Sequence, residues 1–258
     1  MDHTAIAGEQ TTFRGRVDLP ERIDAILQWH RPSPFLSRTG HAIAQRAFGH
    51  LMNEAMMRVL VIQNFDGTEL GLLGTALDEA NATIETVRPY LGEALPKGAS
   101  SHDALIVLGG GQNALADDTH PYFHELMALV RSFTAAGRSV LGICLGCQLL
   151  ARAQGAENII GGATEFGWQN VELNDDGEAD PFFKGVDPSF PIFQWHDDTF
   201  ILPRGAVRLA GSIKVHNQAF RLGRATYGVQ FHFEADRKVV EHWNTEFADW
   251  IAERQPDW

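Results

Sequence analysis

Short, wholly apolar runs that alternate with amphipathic segments most constrain the fold of this chain. Such runs lie within residues 58–64, at 104–108 and at 139–143. Consecutive apolar residues without period-two alternation are typical of strands covered on both faces, as in a parallel sheet. Helical periodicity over 72–81 and 122–136 separates these runs. We therefore expect an α/β fold with a mostly parallel central sheet.

The second half of the chain has a different pattern. Shorter strand-like segments at 191–195, 207–212 and 226–231 are separated by Gly and Pro turns, which indicates a mixed sheet in this half. Apolar residues then recur at helical spacing from Val239 to Ile251. This spacing predicts a closing amphipathic helix that packs on the sheet.

Composition excludes several classes of protein. The 33 acidic and 21 basic residues give a net charge of −12 without basic clusters, so nucleic acid is a poor candidate partner. The first ten residues have neither a basic nor an apolar leader, and no run approaches the roughly 18 apolar residues that span a bilayer. We therefore expect a cytoplasmic protein that does not bind membranes. The two cysteines, three positions apart, cannot form a disulfide framework.

The first 56 residues fit the α/β pattern poorly. Their apolar residues are scattered, and Arg31-Pro-Ser-Pro34 interrupts any long helix. Residues 1–56 are either a true N-terminal extension or the result of a start codon assigned too far upstream, with translation beginning at Met56 or Met57. In both interpretations the predicted α/β domain spans residues 57–258.

Cys144 stands between a predicted strand and a predicted helix, with Gly142 and Gly146 two positions away on either side. This arrangement is typical of a nucleophile elbow, where small neighbours permit a strained turn that exposes the side chain. The N-terminus of a helix beginning at Leu145 would favour the thiolate. Cys144 alone is equally compatible with a buried, inert cysteine.

A candidate base follows the last predicted strand, in Gly228-Val-Gln-Phe-His232-Phe-Glu234. Residues two apart on a strand face the same side, so Glu234 can hydrogen-bond one ring nitrogen of His232 and fix its tautomer. A single histidine at a strand end is more often incidental than catalytic. The pairing with Glu234 and Cys144 is what favours a catalytic role.

Gly109-Gly110-Gly111 follows another apolar run. Bare backbone at the carboxyl end of a strand can bring N–H groups close to a developing oxyanion. A triple glycine by itself predicts only a flexible loop. Here three strand ends converge on the edge where open α/β sheets usually bind ligands.

Taken together, Gly142-Ile-Cys144-Leu-Gly146-Cys-Gln148 and the His232 motif resemble the class I glutamine amidotransferases. Glu165-Phe-Gly-Trp168, Trp195-His-Asp-Asp198 and Leu202-Pro203 resemble the branch related to the glutaminase half of GMP synthase. The resemblance extends from about Arg58 to Ile251. It implies a flavodoxin-like, three-layer α/β fold.

The resemblance also implies a reaction. A Cys144-His232-Glu234 triad would form a γ-glutamyl thioester and release ammonia or an amine from glutamine or a related γ-glutamyl compound. Matching positions assign the oxyanion hole to Gly110 and Leu145. They assign substrate binding to Gln148 and the region around His196.

Two positions depart from the family pattern. Phe233 stands where the family usually has proline between the histidine and the glutamate, and Asp197 stands where it usually has glycine. Neither change removes a catalytic group. Loss of the proline constraint and gain of a carboxylate bear on how Glu234 is aimed and which substrate is preferred.

Other functions are compatible with parts of the pattern. Cys144-Leu-Gly-Cys147 could be a dithiol redox pair, and the fold could be a catalytically silent binding or regulatory relic. Since no ATP-binding P-loop or synthetase region follows, we expect the protein to act alone or to supply ammonia to a separate synthetase subunit. The histidines form no metal-binding pattern, and we expect neither metal nor cofactor.

Overall fold

The computed structural model describes residues 57–258. The predicted N-terminal extension, residues 1–56, lies outside the described residues. The strands are β1 (Arg58–Ile62), β2 (Thr83–Val87), β3 (Ala104–Val107), β4 (Ser139–Ile143), β5 (Asn158–Ile159), β6 (Glu165–Leu173), β7 (Ser189–His196), β8 (Thr199–Phe200), β9 (Val207–Gly211), β10 (Ala219–Leu222) and β11 (Thr226–Val229). The helices are α1 (Gly71–Glu79), α2 (Phe123–Ala135), α3 (Leu145–Ala153), α4 (Asp175–Ala179), α5 (Arg237–Glu246) and α6 (Ala248–Arg254).

Within residues 57–258, nine strands form one sheet in the order β2-β1-β3-β4-β11-β10-β9-β6-β7, and β5 pairs with β8 separately. The strands from β2 to β11 in this order are parallel. The remaining pairs, from β11 to β7, are antiparallel. The predicted α/β class is confirmed, with a parallel core and the mixed extension expected for the second half.

The apolar runs form central strands because both of their faces are covered. Val59 and Val61 of β1 pack into one core cluster, and Leu60 and Ile62 pack into another on the opposite face. The first cluster includes side chains of α1, and the second includes those of α2 and α3. Helices on both faces of the sheet give the three-layer architecture.

The C-terminal helix differs from the prediction. The expected single amphipathic helix is two helices, α5 and α6, which are separated at Phe247 with φ −109° and ψ 25°. The Asp236 side chain caps α5 by accepting a hydrogen bond from Val239 N at 2.9 Å. Within residues 57–258, no helix has the length and apolar character needed to cross a membrane.

Candidate active site

A cavity of about 320 Å³ lies where the chain leaves the carboxyl ends of β1, β3 and β4. This edge is where open α/β sheets generally bind ligands. The predicted site residues that line the cavity are Gly110, Cys144, Leu145, Gln148, His196 and His232. Glu234 lies behind His232. The structure thus brings all of the predicted site residues together.

Cys144 occupies a strained turn between β4 and α3. Its φ of 52° and ψ of −112° are unusual for a residue with a side chain. Close packing enforces the turn, because a Cβ atom at position 146 would overlap the carbonyl group of Val107 and one at position 142 would overlap the carbonyl of Gly146. The two glycines permit the approach that the elbow requires, as the sequence predicted.

His232 and Glu234 form a buried pair beside Cys144. Nδ1 of His232 lies 2.6 Å from Glu234 Oε1, and the imidazole also hydrogen-bonds the Cys144 side chain. Burial alone would lower the pKa of His232, but the negative charges of Glu234 and Cys144 and the hydrogen bonds to both raise it to about 10. The pair therefore favours an imidazolium next to the sulfur.

Backbone contacts with two other elements hold this pair. The His232 N–H donates to the Phe193 carbonyl of β7 at 2.8 Å, and the Leu72 N–H of α1 donates to the Glu234 carbonyl at 2.9 Å. Between them, Phe233 points away and is buried beside Phe182. Packing of this aromatic ring thus anchors the segment where the family pattern has a proline.

The glycine loop after β3 lies directly against the reactive groups. A Cβ atom at position 109 would lie 3.4 Å from His232 Cε1 and 3.5 Å from Cys144 Cβ. Gly110 and Leu145 are neighbours, since a Cβ atom at position 110 would lie 2.9 Å from Leu145 Cδ2. The loop therefore brings bare backbone against the Cys144 and His232 side chains.

Side chains that the sequence analysis did not single out fix this loop. The buried amide of Asn64 donates to the Leu108 carbonyl at 2.7 Å, and Gln112 Nε2 donates to the Asn64 carbonyl at 2.9 Å. These bonds tie the end of β3 to the end of β1. No motif marks Asn64, and only its position two residues after an apolar strand could have indicated it.

Gln148 lies one helical turn beyond Cys144 and is almost fully buried. Its side-chain nitrogen donates to Gln230 Oε1 at 3.2 Å and to the Asp198 carbonyl at 3.4 Å. These contacts fix the amide at the cavity wall and link α3 to the segment after β7.

His196 is engaged on both ring nitrogens. Nδ1 lies 2.9 Å from the Asp198 carbonyl oxygen, and Nε2 lies 3.2 Å from Glu165 Oε2. Burial would raise the pKa of Glu165, but hydrogen bonds from His196, Ser212 and Gln218 hold it below its usual range. His196 therefore braces the loop that carries Asp197 and Asp198 and has no ring nitrogen left to bind a ligand.

Two carboxylates from this loop line the cavity. Asp197, at the position where the family pattern has glycine, accepts from Thr164 Oγ1 at 2.9 Å and lies 3.3 Å from Arg254 Nη1. Asp198 accepts from the Gly161 N–H at 2.8 Å. Burial, together with the charge of Asp197, raises the pKa of Asp198.

Cys147 is completely buried beneath the elbow, and it forms no disulfide with Cys144, the other cysteine of the chain. A Cβ atom at position 228 would contact its sulfur at 2.9 Å. Burial and the neighbouring Cys144 raise the pKa of the Cys147 thiol well above its usual range. These surroundings favour an inert packing role over a redox role.

Aromatic residues complete the cavity. Helical spacing predicted that the closing segment packs on the sheet, yet Trp243, Phe247 and Trp250 also line the cavity. The helical spacing identified the apolar face of the segment, but only the fold shows that part of this face borders the site. Among the described residues, no group of three or more His, Cys, Asp or Glu is arranged to hold a metal ion.

Comparison with known proteins agrees with this geometry. Residues 62–245 match the family described as glutamine amidotransferase class-I, well over half of the chain. The chain belongs to this family. As a class I glutamine amidotransferase it is an enzyme of the glutaminase type, and the predicted resemblance is confirmed.

Curated members of the family are moderately similar in sequence. The glutamine amidotransferase-like protein YfeJ of Salmonella typhimurium is 32% identical over 179 residues, which cover 67% of this chain and 75% of that protein. A glutamine-hydrolyzing GMP synthase of Aeropyrum pernix is 32% identical over 195 residues, which cover 72% of this chain and 35% of the synthase. The chain thus spans about a third of the length of that synthase.

A solved structure supports the same fold. A glutamine amidotransferase from Thermotoga maritima superposes with a TM-score of 0.73 at 30% sequence identity, covering 78% of this chain and 86% of that one. The predicted flavodoxin-like fold of the class I amidotransferases is therefore confirmed.

Proposed function

We propose that this amidotransferase hydrolyses the γ-amide of glutamine or of a related γ-glutamyl compound through a thioester on Cys144. The observation that carries the proposal is the strained, cavity-lining Cys144 beside the buried His232–Glu234 pair. A nucleophile, a base and a group that orients the base are the parts that acyl transfer requires.

In the first half-reaction, the Cys144 thiolate attacks the γ-carbonyl carbon of the substrate. The C–N bond breaks, His232 gives its proton to the leaving nitrogen, and ammonia or an amine departs. Backbone N–H groups of Gly110 and Leu145 stabilise the oxyanion that forms in between. Glu234 holds the imidazolium in position and balances its charge.

In the second half-reaction, neutral His232 takes a proton from water, and the resulting hydroxide attacks the thioester carbonyl. The C–S bond breaks, glutamate leaves, and the thiolate–imidazolium pair is restored. Each cycle therefore consumes one water and one amide and requires no oxidant or reductant.

We assign the amino-acid end of the substrate to the side of the cavity formed by Gln148 and the loop after β7. Gln148 borders the cavity one turn from the nucleophile, and the nearby carboxylate of Asp198 suits an α-ammonium group. His196 contributes by holding this loop in place, since both of its ring nitrogens are engaged.

The test is release of ammonia or amine by purified protein from glutamine and a panel of γ-glutamyl amides, with Cys144→Ala as the blank. Release that disappears in the variant, together with a trapped γ-glutamyl adduct on Cys144 detected by mass spectrometry, supports the proposal. Release that is unchanged in Cys144→Ala would rule out the covalent mechanism.

A second candidate is an ammonia-supplying subunit of a separate synthetase. It is favoured by similarity to a glutamine-hydrolyzing GMP synthase of Aeropyrum pernix. Glutaminase activity that appears only with a co-purified synthetase would support this function. Full activity of the isolated protein would contradict it, whereas tight substrate binding without turnover would indicate a silent relic.

A further inference from the structure

An arc of aromatic side chains borders one side of the cavity. We call it the aromatic wall, and it consists of Phe65, Trp195, Trp243, Phe247 and Trp250. Phe247 connects its parts, with ring centroids 5.9 Å from Phe65 and 5.2 Å from Trp195. Trp250 continues the arc at 5.3 Å from Trp195.

The aromatic wall reaches His232, and the backbone of one of its residues reaches Cys144. The Cys144 sulfur lies 3.7 Å from the carbonyl oxygen of Trp195. The indole of Trp243 packs edge-on against the His232 imidazole with centroids 4.9 Å apart, and its N–H donates to the Gly67 carbonyl. A ligand group held beside His232 is therefore next to aromatic surface.

The proposed chemistry places the leaving group on this side. The leaving nitrogen takes its proton from His232 and must lie within hydrogen-bond distance of the imidazole. The acyl portion lies with Gln148 and the loop after β7. Any substituent on the leaving nitrogen thus extends along the aromatic wall.

The charges around the cavity narrow the choice of leaving group. Among the described residues that line it, none is Lys or Arg, whereas Asp197 and Asp198 are both acidic. Two cationic groups lie at this edge, but the His232 imidazolium is paired with Glu234 and Arg254 is paired with Asp197, so an anionic leaving group such as an amino acid would have to compete with these carboxylates. Ammonia would leave the aromatic surface uncovered. An uncharged apolar substituent would bury this surface.

We infer that the leaving group of the preferred substrate is an amine with an aromatic or similarly bulky apolar substituent. The substrate class is then the N-substituted γ-glutamyl amides, which one water converts to glutamate and the free amine. The inference rests on the proposed γ-glutamyl hydrolysis and adds the identity of the leaving group.

The experiment compares kcat/KM for glutamine, γ-glutamyl ethylamide, γ-glutamyl benzylamide and γ-glutamylglycine. The ethyl and benzyl compounds both release alkylamines, so a difference between them reports mainly on binding of the ring. We expect the benzylamide to exceed the ethylamide by about 10- to 100-fold, since burying a ring-sized apolar surface is worth roughly that factor. γ-Glutamylglycine should be the poorest substrate.

Two variants in different elements test the wall itself. Trp250→Ala removes a half-buried side chain of α6, and Phe65→Ala removes one from the loop after β1. At least one should lower the ratio of kcat/KM for the benzylamide to kcat/KM for the ethylamide about tenfold. Trp168→Ala is the matched control, because this half-buried tryptophan lies outside the cavity lining.

Equal rates for the benzyl and ethyl compounds, or a preference that survives in both wall variants, would overturn the inference. Calorimetric binding to Cys144→Ala separates this failure from that of the proposed function. Tighter binding of the benzylamide without turnover by the parent protein would support the wall as a ring-binding surface and reject hydrolysis. Cys144-dependent turnover without tighter binding of the benzylamide would support hydrolysis and reject the wall as a ring-binding surface.

Discussion

Two sides of the cavity are constructed in different ways. The nucleophile side consists of strand ends and bare backbone, with Cys144 held between glycines that contact neighbouring carbonyl groups. The aromatic wall consists of side chains, mostly from β7 and the C-terminal helices. Displacement of a strand end would disturb the sheet, whereas substitution of a side chain in the aromatic wall should reduce the stability of the fold less.

This difference separates reaction from selectivity. The nucleophile side contains groups that any γ-glutamyl substrate would need, and the fold leaves little freedom in their placement. In the proposed complex, the aromatic wall contacts only the leaving group of the substrate. We therefore expect substitutions on the nucleophile side to abolish turnover and substitutions in the wall to change substrate preference.

The largest effect is expected at the nucleophile. Cys144→Ala should lower kcat/KM by about 10,000-fold or more, because no other group can form the thioester. Cys147→Ala is the matched control and should retain activity, since its thiol is buried and does not line the cavity. Activity that depended equally on both cysteines would revive the dithiol interpretation.

The next largest effect is expected on the stability of the fold, at the buried Phe233 between His232 and Glu234. Phe233→Ala should lower the free energy of unfolding by about 3–5 kcal/mol, since it removes a fully buried ring. Urea unfolding measures this change. Leu91→Ala, at a side chain that is 65% exposed, should change it by less than about 0.5 kcal/mol. Equal changes in the two variants would show that Phe233 does not anchor the segment.

Glu234→Gln should lower kcat about 100-fold, because the substitution removes the charge that supports the imidazolium. It also tests the pH dependence. The His232 imidazolium persists below its pKa of about 10, so the alkaline limb of the rate profile should lie near that pH. Burial lowers the pKa of His232, and the Glu234 charge normally counteracts this effect. Without that charge the pKa of His232 falls, and the alkaline limb should move to lower pH.

The pH profile of kcat/KM for both proteins measures this shift. An alkaline limb that stays in place in Glu234→Gln would mean that the carboxylate does not control His232. Glu172→Gln, on β6 and outside the cavity lining, is a suitable control for loss of a carboxylate.

The smallest effect is expected at the edge of the aromatic wall. Asp197→Gly should lower the free energy of unfolding by less than about 1 kcal/mol, because the Asp197–Arg254 pair is about half exposed. Arg254→Ala should lower the free energy of unfolding slightly more than Asp197→Gly, since it also removes the guanidinium from above the Trp250 ring. A double-mutant cycle in urea would check the pair, and a coupling above about 2 kcal/mol would contradict this estimate.

Several elements could be predicted because local pattern and tertiary environment agree. β4 has the predicted bounds, and α3 begins at the residue after Cys144, as expected. Buried parallel strands are apolar throughout, and their ends are marked by turn residues. The single closing helix was wrong, because helical spacing continues across Phe247 although the backbone leaves the helical conformation there.

Outside the described residues, the two interpretations of 1–56 stay predictions. The roles of Gly110, Leu145, Gln148 and His196 also stay predictions, although the structure places all four at the cavity. For His196 the structure adds that Glu165 and Asp198 occupy both ring nitrogens. That arrangement depends on pairing between β6 and β7, which no local pattern specifies.

By itself, the sequence determined the α/β class, the elbow at Cys144 and the pairing of His232 with Glu234. These features follow from short-range constraints, namely apolar runs, glycines beside a turn and residues two apart in an extended segment. Only the tertiary structure decided that Phe233 anchors its segment by packing and that Trp243, Phe247 and Trp250 face the cavity. An apolar helical face predicts burial, but which surface it covers depends on contacts between residues far apart in the chain.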